Sequence, residues 1–164
     1  MKKLMMKLLL ELLKDSKRSD RKIARILGVS QPTITRTRNR LVEEGVIQEF
    51  TIIPDLVKIG YEIMAISCVK TKNPMTAESS EESKKWMKKY PNIIFAANAE
   101  GMGKNGVMIS LHKSYTEYSK FVREHLLHWG KDIRDYDTML ISLKGIIAKP
   151  LSLRYLAEEK SSED

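Results

Sequence analysis

Apolar residues recur at helical spacing in the first segment of the chain. Five leucines fall on one side of a helix with 3.6 residues per turn, while Lys7 and Glu11 lie between them. These are Leu4, Leu8, Leu9, Leu12 and Leu13. The polar stretch 15–18 interrupts the pattern, so we predict that a first amphipathic helix ends there.

Two further helices are predicted, separated by a tight turn. Ser19 and Ser30 stand where helix N-caps belong, because a serine hydroxyl can accept from the free amides of a first turn. Gly28 lies between them and can adopt the left-handed conformation that ends a helix. The third helix is expected to run to about Glu44.

The spacing of Ala24, Gly28, Ile34 and Leu41 is typical of a helix-turn-helix. A small residue lets two helices approach, glycine accommodates the turn, and Ile34 and Leu41 share the inward face of the third helix. Residues 46–53 then change to β-type side chains, which predicts a short β-ribbon or wing ended by Pro54. The order of elements is that of a winged helix-turn-helix.

The rest of the chain alternates strand-like and helix-like segments. Strands are predicted at 61–71, 92–99, 107–112 and 138–147, with helices over 76–90 and after the capping box of Ser114 and Glu117. The fold class is therefore α+β: an N-terminal winged helix-turn-helix and a C-terminal βαββαβ domain of ferredoxin type.

The predicted boundaries divide the chain into four parts. Residues 1–55 form the DNA-binding domain, 56–60 a linker, 61–150 the ferredoxin-like dimerisation and effector domain, and 151–164 a C-terminal tail. Within the tail, 152–156 is expected to form one more helix and 158–164 to fray.

Positive charge is concentrated in the first third of the chain. Residues 1–60 hold 13 Lys and Arg against 7 Asp and Glu, whereas residues 61–164 hold 16 against 14. An excess at one end favours contact with a polyanion such as nucleic acid. The apolar run that follows the N-terminal lysines is interrupted by charge and is too short for a membrane span, so we expect a cytoplasmic protein that does not bind membranes.

The outward face of the third helix is the predicted nucleic-acid contact. A rotation of 100° per residue places four polar side chains opposite the packed face, two more lie near the helix N-terminus, and two cations on the preceding helix can reach phosphates. The predicted DNA-binding residues are Arg21, Lys22, Gln31, Thr33, Thr35, Arg36, Asn39 and Arg40.

The run from Leu27 to Leu41 resembles the Lrp/AsnC family of bacterial and archaeal regulators, as does the following Glu44-Gly-Val-Ile47. The resemblance covers nearly the whole chain, including the βαββαβ order. It implies a transcription regulator that binds specific double-stranded DNA as a homodimer or a higher even-numbered oligomer. It also implies a small amino-acid-like effector, held by the hairpin residues Gly101, Met102, Gly103, Lys104 and Asn105.

The same hairpin formally matches G-x-G-x-x-G at Gly101, Gly103 and Gly106. A dinucleotide site needs those glycines between a strand and a helix, whereas here a strand follows. We therefore interpret the stretch as a turn and expect no cofactor, no catalytic residue and no metal ligand set.

An enzyme is the alternative interpretation. Some proteins that resemble this family decarboxylate sirohaem-type tetrapyrroles with histidines near the pocket, and this chain has His112, His125 and His128. The basic third helix disfavours that alternative. Packing or surface placement is the simpler expectation for these histidines, as it is for the single cysteine, Cys68.

Overall fold

The computed structural model describes residues 2–74 and 76–159. These divide into two compact units, one formed by residues up to 53 together with those from 149 onward, the other by residues 54–148. The first unit contains helices α1 (Lys3–Lys14), α2 (Asp20–Leu27), α3 (Gln31–Glu43) and the short α6 (Tyr155–Glu159). The second contains β1 (Ile63–Thr71), α4 (Ala77–Met87), β2 (Ile93–Gly101), β3 (Lys104–His112), α5 (Tyr115–Trp129) and β4 (Ile133–Ser142).

The core of the helical unit consists of the residues that the apolar spacing predicts. Ile23, Ile34 and Leu41 have no exposed surface, and Ala24 is also buried where α2 and α3 meet. Gly28 ends α2 with φ +66°, a left-handed conformation that glycine adopts without steric cost. The helix-turn-helix predicted from spacing is therefore confirmed.

The C-terminal helix α6 belongs to the same unit, where it packs on α1. Ala157 has no exposed surface, and the Lys149 ammonium lies 4.0 Å from the centre of the Tyr155 ring. This grouping differs from the sequence-based division, which sets 151–164 apart as a tail. Five helical residues are too few for a periodic pattern, so their packing is not visible in the sequence. The residues expected to fray lie mostly outside the described part.

The second unit is a four-stranded antiparallel sheet in the order β2-β3-β1-β4. Side chains alternate between its faces. Met108 of β3 points to the face covered by α4 and α5, where it packs in one cluster with Trp86 and Phe121. Its neighbours in the ladder, such as Ala96 and Ser67, lie on the same face.

The last strand differs from its predicted position. It begins at Ile133 rather than at 138 and ends at Ser142, pairing with β1 from Ile63↔Ser142 to Thr71↔Ile133. Arg134, Asp135 and Asp137 hide the beginning of the strand, because charged residues are unusual in strands. Ile146 and Ile147, expected to end it, lie beyond it and are exposed.

The wing predicted at 46–53 is not formed as a β-ribbon. The structure assigns no strand to these residues, although the Ile47 amide donates to the Leu41 carbonyl at 3.0 Å and Ile47 packs on the helical core. A ribbon needs a second strand, and this segment contains none of the glycine, asparagine or aspartate residues that favour a tight hairpin turn. Phe50 and Ile52 are consequently exposed.

Candidate nucleic-acid interface

Two serine caps fix where α2 and α3 begin. The Ser19 hydroxyl accepts from the Lys22 amide at 3.3 Å, and the Ser30 hydroxyl accepts from the Thr33 amide at 3.4 Å. The Thr33 hydroxyl lies 2.8 Å from the Ser30 hydroxyl. Thr33, predicted to contact DNA, is therefore also part of the cap of α3, whose positive dipole end favours nearby phosphate.

The outward face of α3 forms a shallow groove. Gln31, Pro32, Thr35, Arg36 and Asn39 line it, and all five are exposed. Arg36 makes no side-chain hydrogen bond or ion pair with another described residue, so its guanidinium is free to contact a ligand. The structure thus brings four of the predicted DNA-binding side chains to one surface.

Arg40, one turn further along, is exposed but has a partner. Its Nε lies 2.5 Å from Oε1 of Glu44, and about half of each side chain is accessible. An exposed pair of this kind contributes at most about 1 kcal/mol, so a phosphate can displace Glu44. On α2, Arg21, Lys22 and Arg25 are exposed cations without a side-chain partner among the described residues.

Arg38 is not part of the exposed basic face. Its Nε donates to Oδ1 of Asp20 at 2.8 Å, Nη2 lies 2.6 Å from the same oxygen, and both side chains are mostly buried. The other Asp20 oxygen accepts from the Thr35 hydroxyl at 2.7 Å. The sequence analysis did not find this cluster, because the two charges are 18 residues apart in the chain and periodicity says nothing about such pairs.

A second internal ion pair fixes the segment between α1 and α2. The largely buried Glu11 accepts from Arg18 and, at 3.0 Å, from Lys14. Sequence reasoning placed Glu11 on the polar side of α1 and assigned no role to Arg18. Removing one partner of such a pair leaves a poorly solvated charge.

The predicted effector residues form the hairpin between β2 and β3. Met102 and Gly103 make its two-residue turn with φ values of +48° and +71°, as primed hairpin turns require. The G-x-G-x-x-G match is therefore a turn between strands, as the sequence analysis interprets it. Beside it, Asn105 lines a shallow depression with Asn98, Ala99 and Glu100.

Lys104 and Asn105 are already engaged within the sheet unit. The Lys104 ammonium contacts Asp135 and lies 2.6 Å from Asp137, and these carboxylates raise the pKa of Lys104. The Asn105 side chain accepts from the Thr71 amide at 2.9 Å and donates to the Thr71 hydroxyl at 2.7 Å. Lys104 is thus neutralised by two carboxylates and has little charge left for an anionic ligand.

The histidines that suggested an enzyme are packed or separated. His112 is fully buried with Nε2 2.8 Å from the Ser110 hydroxyl, and His125 is buried with its ring centre 4.9 Å from that of Trp86. His128 is exposed. Within 2–74 and 76–159, no three His, Cys, Asp or Glu side chains are placed to hold a metal ion. In the same residues no helix is long and apolar enough to cross a membrane.

The burial of His125 predicts a pH-dependent stability. Burial, with a smaller effect of His128, lowers the pKa of His125 from 6.5 to about 4. A histidine with a lowered pKa binds its proton more tightly when unfolded, so its contribution is complete above pH 6.5 and is lost as the pH falls toward 4. We expect the sheet unit to lose up to about 3 kcal/mol over that interval.

Denaturant unfolding of the wild type and of His125→Phe, measured at intervals between neutral pH and pH 4, tests this expectation. The variant should have the flatter profile, while His128→Phe, at an exposed position of the same helix, should keep the wild-type slope. An equal slope in His125→Phe and the wild type would contradict the assignment.

Similarity to known proteins is extensive. A family model described as winged helix-turn-helix DNA-binding matches residues 1–48. An uncharacterized HTH-type transcriptional regulator of Pyrococcus horikoshii is 29% identical over 140 residues, which cover 84% of this chain and 89% of that protein. The HTH-type transcriptional regulator LrpA of Pyrococcus abyssi is 32% identical over 81 residues, 49% of this chain and 57% of its own.

Solved structures match across both units. The AsnC family transcriptional regulator of Agrobacterium tumefaciens gives a TM-score of 0.76 at 19% identity, covering 95% of this chain and 99% of its own. A transcriptional regulator of Neisseria meningitidis in complex with L-Met gives 0.75 at 15% identity, with 95% and 99% covered. These matches confirm the fold class and do not support the tetrapyrrole decarboxylase alternative. The chain is a DNA-binding transcription regulator of the Lrp/AsnC type.

Proposed function

We propose that the protein binds specific double-stranded DNA sites as a homodimer, with the groove-lining face of α3 in the major groove of each half-site. The observation that carries this proposal is the exposed face of α3, on which Gln31, Thr35, Arg36 and Asn39 converge. Arginine recognises guanine edges and asparagine or glutamine recognises adenine edges in that groove. The cations of α2, together with Arg40, contact phosphates and set the register.

A gel shift with the protein's own promoter region, across a salt series and with competitor DNA, tests the proposal. Site-selective binding that survives the competitor and weakens as salt rises is expected, because each neutralised phosphate releases counterions. Binding no tighter than to random duplex DNA, with or without candidate effectors, would contradict sequence-specific recognition.

The dimer is proposed to form through the face of the sheet opposite α4 and α5. The ladder places Phe95, Ile109, Ile66 and Met139 side by side there, one from each strand, and Phe95 and Met139 are 51% and 67% exposed. A contiguous apolar surface of this kind is unusual on a monomer. Two half-sites also require two recognition helices, which a second copy of the chain supplies.

We expect Met139→Glu to convert the full-length dimer to a monomer of 18.9 kDa, since a carboxylate cannot be buried between two apolar sheets without a large penalty. Sedimentation or light scattering of the purified protein measures the mass. Leu127→Glu is the matched control, because Leu127 is 81% exposed on α5 and lies in the helical layer. Retention of the wild-type mass by Met139→Glu at micromolar concentration would exclude this face. The same measurement on the wild type detects higher even-numbered assemblies.

A small amino-acid-like effector is proposed to bind beside the hairpin of residues 101–105. Support comes from the depression at Asn98, Glu100 and Asn105, where a carboxylate and two amides suit an ammonium group. The Neisseria regulator was solved with L-Met, an ammonium-bearing ligand. The proposal assigns no catalytic step, and it places the protein in the cytoplasm with its DNA.

A further inference from the structure

We infer that Asp20 sets the base preference of the protein by holding the Thr35 hydroxyl so that it can only accept a hydrogen bond from DNA. Thr35 lines the groove on α3, where it is exposed beside Gln31 and Arg36. The inference rests on the proposed contact between this face and the major groove. It adds a residue outside that face that acts through Thr35.

The hydrogen-bonding capacity of Thr35 is fixed by its two intramolecular partners. A hydroxyl has one hydrogen to donate and two lone pairs that accept. The Thr35 hydroxyl lies 2.7 Å from Oδ2 of Asp20 and 3.2 Å from the Gln31 carbonyl oxygen, and both of these atoms are acceptors. The single hydrogen is therefore engaged within the protein, and only lone pairs remain for a ligand.

Asp20 is itself held in place by Arg38. The guanidinium binds Oδ1 through Nε at 2.8 Å and Nη2 at 2.6 Å, which leaves Oδ2 for the hydroxyl. Arg38 Nη2 also donates to the Arg18 carbonyl at 3.4 Å, linking the cluster to the segment before α2. A charge-assisted hydrogen bond of this kind is stronger than a neutral one, so the hydroxyl does not turn outward at little cost.

An acceptor-only threonine discriminates between bases in the major groove. Adenine and cytosine present an exocyclic amino group there, whereas the guanine and thymine edges carry acceptors. The base that faces Thr35 should therefore be adenine or cytosine. Guanine and thymine at that position would place acceptor against acceptor.

Selection from a duplex library with 25 randomised base pairs, using the full-length wild type and the variants Thr35→Val, Thr35→Ser and Asp20→Asn, tests the inference. The position whose preference differs between the wild type and Thr35→Val is the one that Thr35 contacts. We expect the wild type and Thr35→Ser to select adenine or cytosine there. In Asp20→Asn the carboxamide can face Arg38 with its oxygen and donate to Thr35 with its nitrogen, which frees the hydroxyl hydrogen. That variant should accept guanine or thymine as well.

A base analogue provides the second measurement. Replacing the contacted adenine by purine, or the contacted cytosine by 2-pyrimidinone, removes only the amino group and should weaken wild-type binding about 5-fold, the effect of one hydrogen bond. Thr35→Val should bind both duplexes equally. Because Thr35 is exposed, its substitution leaves the fold intact, and these two measurements do not depend on the folding of Asp20→Asn.

The outcomes separate the inference from the function on which it rests. Failure of the wild type to enrich any sequence would contradict sequence-specific binding itself. An enriched site that contains guanine or thymine at the contacted position, or that is identical for the wild type and Thr35→Val, would overturn the role of Thr35 alone. A well-folded Asp20→Asn variant with an unchanged preference would overturn the role of Asp20.

Discussion

Replacing Arg36 with alanine is expected to weaken specific DNA binding at least about 30-fold at fixed salt. A direct base contact by arginine contributes about 1–3 kcal/mol, and a homodimer loses two such contacts. Arg36 is the groove-lining cation with no internal partner among the described residues, so its whole charge is available to the ligand. A gel-shift titration on the selected site measures the loss.

Two comparisons make this expectation specific. Arg123→Ala removes the same exposed charge from α5 in the sheet unit and should leave DNA affinity nearly unchanged. Arg40→Ala should have a smaller effect than Arg36→Ala and should lower the salt dependence by about one counterion per contact, because Arg40 exchanges its Glu44 partner for a phosphate. Unchanged affinity in both Arg36→Ala and Arg40→Ala would remove α3 as the recognition helix.

Truncation of Leu41 to alanine is expected to destabilise the helical unit by about 2–5 kcal/mol. The side chain has no exposed surface, and deleting it removes buried methyl groups and leaves a cavity among α1, α2 and α3. Hydrogen exchange of the α2 and α3 amides, together with denaturant unfolding, measures the loss and assigns it to this unit. Val42→Ala, at the 46% exposed neighbouring position, should cost well under 1 kcal/mol. A comparable loss in both variants would contradict the packing.

The helix-turn-helix could be predicted because its signals are local. Ser19 and Ser30 cap helices through amides three residues ahead, and Gly28 adopts the conformation that favours glycine. The inward spacing of Ile34 and Leu41 needs only the helical period. The exposed face of α3 follows from the same period, so four groove-lining residues were predicted from the sequence.

What the sequence did not reveal depends on contacts between distant residues. Asp20 and Arg38 are identified as partners only once α2 and α3 are packed, and Lys104 meets Asp135 across the sheet only in the folded unit. The same carboxylates hid the beginning of β4. The wing failed as a prediction because β-type residues at 46–53 indicate strand propensity, whereas a strand also needs a partner backbone to pair with.

The packing of α6 on α1 means that the DNA-binding unit is built from both ends of the chain. Ala157 completes a surface whose other half was made more than 140 residues earlier. During synthesis on the ribosome, the recognition helix therefore emerges long before the helix that finishes its supporting unit. A nascent or prematurely terminated chain presents α3 without that support, so full DNA-binding competence belongs only to chains that have been translated through α6.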